Sequence, residues 1–179
     1  MNTISEEYRL QQQKLHSNPG YGIASVVYAP LVAKLVNQFA IRSISDYGAG
    51  KKRLLTALMK EGVDSIEYYP YDPAFPEYGP PKSADLVCCI DVLEHIEPEF
   101  LISVLDELRT LISNIGLLTV SCVPAKKTLE DGRNAHLIQK PLSWWRPLLE
   151  SRFKVTGAIE SKKNEKVTSA IFIVEKLSN

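Results

Sequence analysis

Short apolar runs alternate with amphipathic segments along this chain, and the alternation limits its fold more than any other feature. Residues 84–90 and 117–123 are almost continuously apolar, which is typical of strands buried on both faces of a sheet. From Pro98, leucines and valines recur at helical spacing. Strands that alternate with helices predict an α/β fold with a mostly parallel sheet and helices on both faces.

Local signals place the remaining elements. A capping box from Thr3 to Glu6 predicts a polar helix reaching Leu15, and Pro30 is expected in the first turn of a second helix. The last two predicted strands, joined by a polar turn at 161–165, form a C-terminal antiparallel hairpin. These two strands are predicted at 154–159 and 168–174. Further strands are predicted at 41–46 and 66–71, and further helices at 51–61 and 143–151.

Length and charge favour one ordinary globular domain. The 179 residues suit a single domain over 1–179, with a helical N-terminal extension at 1–40 and an α/β core at 41–179. The chain has 21 basic and 21 acidic residues, so its net charge attracts neither nucleic acid nor a membrane. The N-terminus does not resemble a signal peptide, and no apolar stretch is long enough to span a membrane. Three cysteines in apolar runs predict buried free thiols and a cytoplasmic protein.

A glycine-containing turn follows the first predicted strand. Asp46 and Tyr47 lead through Gly48, Ala49 and Gly50 into a helix. Glycines permit close approach of a ligand to the backbone, and a helix N-terminus offers free N–H groups. Many α/β turns contain two glycines, so a purely structural turn is an equal alternative.

An acidic residue ends the next strand, 26 positions after Asp46. In nucleoside-binding folds, a residue at the position of Asp72 accepts hydrogen bonds from ribose hydroxyls. An ordinary turn made by Asp72 and Pro73 is the alternative.

Polar residues also follow the buried strand at 84–90. Asp91, Glu94 and His95 lie at the carboxyl edge of the sheet, where open α/β sheets bind ligands. Such a group within one helical turn is typical of a helix start with favourable dipole charges. We therefore predict no metal site.

Taken together and in this order, the three segments resemble the class I S-adenosylmethionine-dependent methyltransferases. The segment 91–96, Asp-Val-Leu-Glu-His-Ile, is similar to the version found in quinone-biosynthesis and related small-molecule methyltransferases. The resemblance extends over roughly residues 41–174. It implies a Rossmann-like fold, S-adenosylmethionine as cofactor and methyl transfer to a small molecule.

The resemblance also implies which residues surround the cofactor. The turn would hold its methionine portion, Asp72 its ribose diol, and Asp91 with Val92 would border the methyl-donating centre. Residues 16–22 would cover it from the N-terminal side. The implied cofactor-binding residues are Asp46, Tyr47, Gly48, Ala49, Gly50, Asp72, Pro73, Asp91 and Val92.

The chain departs from the family pattern on the adenine side. Lys52 stands at the third glycine position, and only 11 residues separate Pro73 from Asp85. The family places a helix and a strand in that interval, so one strand-helix unit is predicted to be missing. Adenine would then be bound by residues 74–83, with Phe75 or Tyr78 stacking on the base.

The loop after the strand at 117–123 is predicted to carry the acceptor site. His136 is the first candidate for the catalytic base and His95 the second. Asp91, which would border the methyl-donating centre, is the third predicted catalytic residue. A histidine that only fixes the loop is an equal alternative. Five basic residues at this edge favour an anionic acceptor such as a sugar or nucleotide-like metabolite, with solvated loop charge as the alternative. They are Lys51, Lys52, Lys126, Lys127 and Arg133.

One member of the pair Trp144 and Trp145 is expected in the core, and the other in the pocket.

Two other functions compete with a small-molecule methyltransferase. A nucleic-acid methyltransferase is disfavoured, because the chain lacks both the Asn/Asp-Pro-Pro-aromatic signature and a long basic stripe. A non-catalytic S-adenosylmethionine-binding partner subunit is the other alternative, since the middle of the fold is short.

Overall fold

A computed structural model describes residues 3–177 as one six-stranded mixed sheet flanked by helices. The helices are α1 (Glu6–His16), α2 (Ala24–Gln38), α3 (Arg53–Lys60), α4 (Leu101–Leu111) and α5 (Leu142–Glu150). The strands are β1 (Ser43–Tyr47), β2 (Glu67–Tyr71), β3 (Ala84–Cys89), β4 (Ile112–Ser121), β5 (Phe153–Lys163) and β6 (Lys166–Lys176).

The strand order is β2-β1-β3-β4-β6-β5. The pairs β1–β2, β1–β3 and β3–β4 are parallel, whereas β6 pairs antiparallel with both β4 and β5. The predicted C-terminal hairpin is confirmed, and its strands are longer than expected. Its turn consists of Asn164 and Glu165, both with positive φ, as a tight two-residue hairpin turn requires.

Alternating side chains of the central strands build a core on each face of the sheet. Leu86 and Cys88 of β3 pack with α2 and α3 on one face. Val87 and Cys89 pack with α4 and α5 on the other. Both cysteines are fully buried free thiols. The prediction of a mostly parallel, Rossmann-like sheet with helices on both faces is therefore confirmed.

The predicted loss of one strand-helix unit is also confirmed. Residues 72–83, all of them described, contain one 3-10 turn at Pro76–Tyr78 and no strand or α-helix. Strand β2 is consequently the edge of the sheet.

Two helix starts differ from the prediction. Ser5, not Thr3, is the N-cap of α1, because its hydroxyl accepts the N–H of Tyr8 at 3.2 Å. Helix α2 begins at Ala24, so Pro30 lies inside it and not in its first turn. The carbonyl that Pro30 leaves without a partner belongs to Val26, which is 45% exposed on that first turn. Apolar packing later in the helix outweighs the lost bond.

The start of β4 was also predicted wrongly. Ile112 has helical spacing from Leu108, yet it is the first residue of a strand that continues to Ser121. The polar residues Ser113 and Asn114 are exposed. They interrupt the apolar pattern from which the start of the strand could have been predicted. No helix within residues 3–177 is both long enough and apolar enough to cross a membrane.

Candidate active site

The turn after β1 is held against the end of β2. The N–H groups of Gly48 and Ala49 both donate to the carbonyl of Tyr71, at 2.8 and 2.9 Å. Gly48 and Gly50 have positive φ, and a Cβ on Gly48 would lie 2.3 Å from Cγ2 of Val92. Only glycine therefore fits at position 48, and the turn, Val92 and Asp72 enclose what we call the main cleft.

Asp72 joins the glycine turn to the loop that follows β2. Its Oδ2 accepts the N–H of Gly50 at 2.9 Å, and its Oδ1 accepts the N–H of Ala74 at 2.8 Å. Burial raises the pKa of the Asp72 carboxyl, and these two hydrogen bonds oppose the shift. A carboxylate accepts about four hydrogen bonds, so Asp72 keeps acceptor capacity toward the cleft that it lines.

Asp46 is a second buried carboxyl in the wall of the main cleft. Burial raises its pKa to about 7; a hydrogen bond from the hydroxyl of Tyr68 lowers it, and the nearby charge of Asp72 raises it. Two neighbouring buried acidic groups favour a cationic ligand, because a positive charge offsets both.

The N-terminal extension forms the roof of the main cleft. Tyr8, Gln12 and His16 lie four residues apart on one face of α1 and line the cleft. The helix is fastened where Ser5 donates from its N–H and its hydroxyl to the carboxylate of Glu97, at 2.7 and 2.6 Å. Cover was predicted from residues 16–22, whereas Tyr8 and Gln12 were not predicted, although their four-residue spacing could have indicated them.

The roof contains buried polar atoms that make no hydrogen bond within the described residues. Nδ1 of His16 and Nε2 of Gln12 are buried, and neither has a hydrogen-bond partner within residues 3–177. Burial, with a contribution from Lys51, lowers the pKa of His16 to about 4. A neutral imidazole and an amide are thus available to a polar ligand in the cleft.

The aromatic residues of the shortened loop do not line the main cleft. Phe75 and Tyr78 stack on each other, with ring centroids 5.3 Å apart, and Phe75 also contacts the edge of His16. The Tyr78 hydroxyl donates to the carbonyl of Gly50 at 2.9 Å. Their predicted stacking on adenine is therefore not supported, because both rings are engaged within the protein. Lys52 adopts the left-handed φ of 55° that the missing glycine would favour.

A second cleft opens beside the main one, between the N-terminal extension and the loop after β4. Lys126, Lys127 and His136 line it, and Asp91 and His95 lie in the walls of both clefts. Asp91 has a positive φ of 60°, which is uncommon for a residue with a side chain and clusters at functional sites. Its N–H donates to the hydroxyl of Thr119 at 2.9 Å.

The two histidines at the second cleft are oriented by backbone carbonyls. Nδ1 of His95 lies 2.7 Å from the oxygen of Ala135, and Nδ1 of His136 lies 2.7 Å from that of Val123. Since a carbonyl only accepts, each Nδ1 carries a proton, which leaves Nε2 as the atom that can hold a lone pair. Burial lowers the pKa of His95, and His136 adds to this, whereas Asp91 opposes it.

The loop that carries His136 is organised by Asn134. The Asn134 side chain exchanges two hydrogen bonds of 2.9 Å with the backbone of Ala125, and its Oδ1 also accepts the N–H of His136. Arg133, grouped with the acceptor-side charges by the sequence, pairs with Asp131 at 2.6 Å and lies outside both clefts.

Only part of the predicted acceptor surface forms. Of the five basic residues predicted at this edge, Lys126 and Lys127 line the second cleft. Trp145 is fully buried in the core, as expected for one of the pair, but Trp144 is 37% exposed and lines neither cleft.

Solved structures with similar folds cover nearly the whole chain. The 1,6-didemethyltoxoflavin N1-methyltransferase of Burkholderia thailandensis, with bound S-adenosylhomocysteine, has a TM-score of 0.68 at 12% identity, covering 99% of this chain and 92% of that one. Magnesium protoporphyrin IX methyltransferase of Synechocystis PCC 6803, with bound S-adenosylmethionine, has a TM-score of 0.59 at 12% identity, covering 98% and 100%. The mitomycin 7-O-methyltransferase MmcR has a TM-score of 0.62 at 17% identity, and the match covers 93% of this chain and 60% of that one.

These similarities establish the fold, which is that of class I S-adenosylmethionine-dependent methyltransferases. No protein-family model and no curated protein matches the sequence.

Proposed function

We propose that this protein is an S-adenosylmethionine-dependent methyltransferase that acts on an oxygen or nitrogen atom of a small, polar, anionic acceptor. One observation carries the proposal: the main cleft, built by the glycine turn, Asp72 and Val92, communicates with a second cleft through the shared side chains of Asp91 and His95. A methyltransferase needs this arrangement, because donor and acceptor must meet at one atom.

The walls of the main cleft suit S-adenosylmethionine. The paired carboxyls of Asp46 and Asp72 favour a ligand with positive charge, and this cofactor carries both an ammonium and a sulfonium group. Asp72 would accept from the ribose diol, and the unpartnered Nδ1 of His16 and Nε2 of Gln12 are further polar contacts for the ligand. Adenine would be held without a stacking contribution from Phe75 or Tyr78.

The predicted cofactor residues all have places in this assignment. Tyr47, Ala49 and Pro73 line the main cleft beside the acidic residues and the glycines. Asp91 lies at the border with the second cleft, next to Val92 of the main cleft, and the methyl group would be presented there.

The residues of the second cleft act on the acceptor. The bound cofactor supplies an electrophilic methyl carbon, and the acceptor atom must lose its proton to attack that carbon. His136, then His95, are the candidate bases, because each has an Nε2 lone pair in a fixed ring. Lys126 and Lys127 would bind an anionic group of a sugar or nucleotide-like acceptor. We retain the cytoplasm as the predicted compartment, since the described cysteines are free thiols.

An acceptor screen tests the proposal. The full chain is incubated with methyl-labelled S-adenosylmethionine and a panel of phosphorylated sugars, nucleotides and hydroxy acids, with neutral analogues as the matched set. We expect label transfer to an anionic member and slower transfer to its neutral analogue. Cofactor binding without transfer to any acceptor would favour a non-catalytic partner subunit. Transfer to RNA or DNA, with an affinity that falls steeply with salt, would favour the nucleic-acid alternative.

A further inference from the structure

Three potential metal ligands converge where the two clefts meet. Asp91 and His95 follow β3, whereas His136 comes from the loop after β4, and one donor atom of each lies within 4.8 Å of the others. The rings of His95 and His136 meet edge to face with centroids 4.8 Å apart. Asp91, His95 and His136 were predicted as catalytic residues, but no pattern in the sequence indicates that their donor atoms converge as a metal site.

Both histidine rings are oriented in the way that is usual for metal ligands. Metal-bound histidine normally donates its second ring N–H to a carbonyl or carboxylate, which fixes the tautomer and the ring. Here Nδ1 of each ring lies 2.7 Å from a backbone oxygen, leaving Nε2 as the donor atom. One nitrogen of each ring lies within 4.8 Å of the other and of a carboxylate oxygen of Asp91, a grouping that a histidine used only to fix the loop would not require.

The frame around these ligands is held by further hydrogen bonds. The N–H of Ile138 donates to the carbonyl of Glu94 at 3.0 Å, which fastens the His136 loop to the segment that carries His95. The Tyr8 hydroxyl donates to the carbonyl of His95 at 2.7 Å.

We propose that Asp91, His95 and His136 bind one divalent transition-metal ion, with open coordination positions toward the second cleft. Two imidazoles and one carboxylate suit ions such as Zn²⁺, Co²⁺ and Fe²⁺ better than Mg²⁺ or Ca²⁺. Ligand atoms about 2.1 Å from a tetrahedral ion are roughly 3.4 Å apart. The donor atoms, now within 4.8 Å, therefore have to close by up to about 1.4 Å when the ion binds.

The proposed ion has a chemical role that rests on the proposed methyl transfer. An acceptor hydroxyl bound at an open position becomes more acidic, because the ion stabilises the oxyanion. The acceptor O–H bond breaks and its proton passes to solvent. The oxygen then forms a bond to the methyl carbon of the sulfonium, and the C–S bond breaks with its electron pair going to sulfur, which leaves a neutral thioether. In this scheme His136 and His95 bind the ion. The acceptor proton therefore passes to solvent and not to either ring.

Cobalt titration tests the site directly. Co²⁺ is added to the full chain after treatment with a chelator, and its visible absorption is recorded for the wild type, His136→Ala and Asp91→Asn. The control is His16→Ala, which removes the one histidine outside the group. Asparagine tolerates the positive φ at position 91, so Asp91→Asn tests the carboxylate with little change to the backbone. Circular dichroism verifies that each variant is folded, and Asp91→Asn decides the test if His136→Ala is not folded.

We expect one equivalent of Co²⁺ to bind the wild type and His16→Ala alike, with histidine-coordinated absorption bands that excess Zn²⁺ removes. Binding should weaken at least tenfold in both ligand variants, as expected when a ligand is lost. Absence of stoichiometric binding to the folded wild type, or equal affinity in all four proteins, would overturn the inference.

A separate titration with S-adenosylmethionine distinguishes the two proposals. Cofactor binding without Co²⁺ binding would contradict only the proposed metal site. Co²⁺ binding without cofactor binding would contradict the proposed methyl transfer and still support the metal site.

Discussion

The two clefts of this protein are built in different ways. The main cleft is made where β1 and β2 end, and its polar walls are fixed by short backbone contacts such as those from Gly48 and Ala49 to Tyr71. The second cleft depends on a loop that returns from the far end of β4 and brings His136 to Asp91, 45 residues earlier in the chain. The main cleft could therefore be predicted from local patterns, whereas the chemistry of the second depends on tertiary contacts.

The largest effect should follow from adding one methyl group to the main cleft. In Gly48→Ala, the new Cβ would lie 2.3 Å from Val92, at a φ of 83°, so the turn and Val92 must both move. We expect S-adenosylmethionine affinity to fall by about 100-fold, since the turn and Val92 form the cleft wall and relieving such a collision typically costs about 1–3 kcal/mol. Calorimetry measures the affinity.

Gly62→Ala is the matched control for this change. Gly62 has a φ of 80° and nothing within 4 Å of its added Cβ, so the substitution introduces similar backbone strain without a collision. Its thermal stability should fall while its cofactor affinity stays unchanged. Equal loss of affinity in the two variants would show that strain, not the packing of Val92, controls the main cleft.

A substitution in the second cleft should separate binding from turnover. His136→Ala removes a side chain of the second cleft only, so we expect cofactor affinity to stay within about twofold. The kcat should fall by roughly 100-fold or more, the range for loss of a group that promotes removal of the acceptor proton, as a base or through a bound ion. Steady-state kinetics with an identified acceptor and calorimetry with the cofactor provide the two readings. Wild-type turnover in this variant would exclude His136 from the reaction.

A pH series sharpens the assignment of the main cleft to a cationic ligand. Because the pKa of Asp46 is raised to about 7, protonation should compete with cofactor binding as the pH falls. We expect wild-type affinity to drop roughly tenfold between pH 8 and 6, since one pKa unit corresponds to a factor of ten in binding. Asp46→Asn should bind more weakly at pH 8 and lose this dependence. An unchanged pH profile in the variant would assign the titration to another group.

Asp46→Asn should weaken cofactor binding at pH 8 but raise the stability of the protein. A carboxyl whose pKa is higher in the folded state stabilises the protein at low pH, and this contribution is lost as the pH rises toward 7. Asparagine carries no charge at any pH, so the variant is not destabilised as the pH rises. Its Tm should exceed that of the wild type by roughly 2 °C or more at pH 8, the change expected from about 1 kcal/mol in a chain of this size. The difference should vanish near pH 4, and a lower Tm at pH 8 would contradict the buried-charge interpretation.

The smallest effect is expected for the lysines of the second cleft. Lys127→Ala should raise the KM for an anionic acceptor about threefold to tenfold and reduce the sensitivity of KM to salt, as for a partly exposed charge. Lys60→Ala, on the exposed end of α3, is the control and should change neither quantity. A KM that stays the same for Lys127→Ala would favour a neutral acceptor.

Particular residues show why some features could be predicted from the sequence. Four residues with helical spacing are all buried in α4, because local spacing alone determines which residues share one face of a helix. They are Leu101, Val104, Leu105 and Leu108. Pro30 and Ile112 misled the prediction, since tertiary packing extends α2 before the proline and strand pairing begins β4 directly after a helix. The grouping of His136 with Asp91 required knowledge of how a long loop folds back. No local pattern contains that information.

The account depends most on whether the main cleft binds S-adenosylmethionine. Calorimetric titration of the wild type with S-adenosylmethionine and S-adenosylhomocysteine tests this, with Asp72→Ala as the site variant and Asp64→Ala, an exposed carboxyl outside the cleft, as the control. We predict one micromolar site for each ligand, weakened at least tenfold by Asp72→Ala, as loss of hydrogen bonds to a charged group implies, and unchanged by Asp64→Ala. Failure of the folded wild type to bind either ligand would contradict the account.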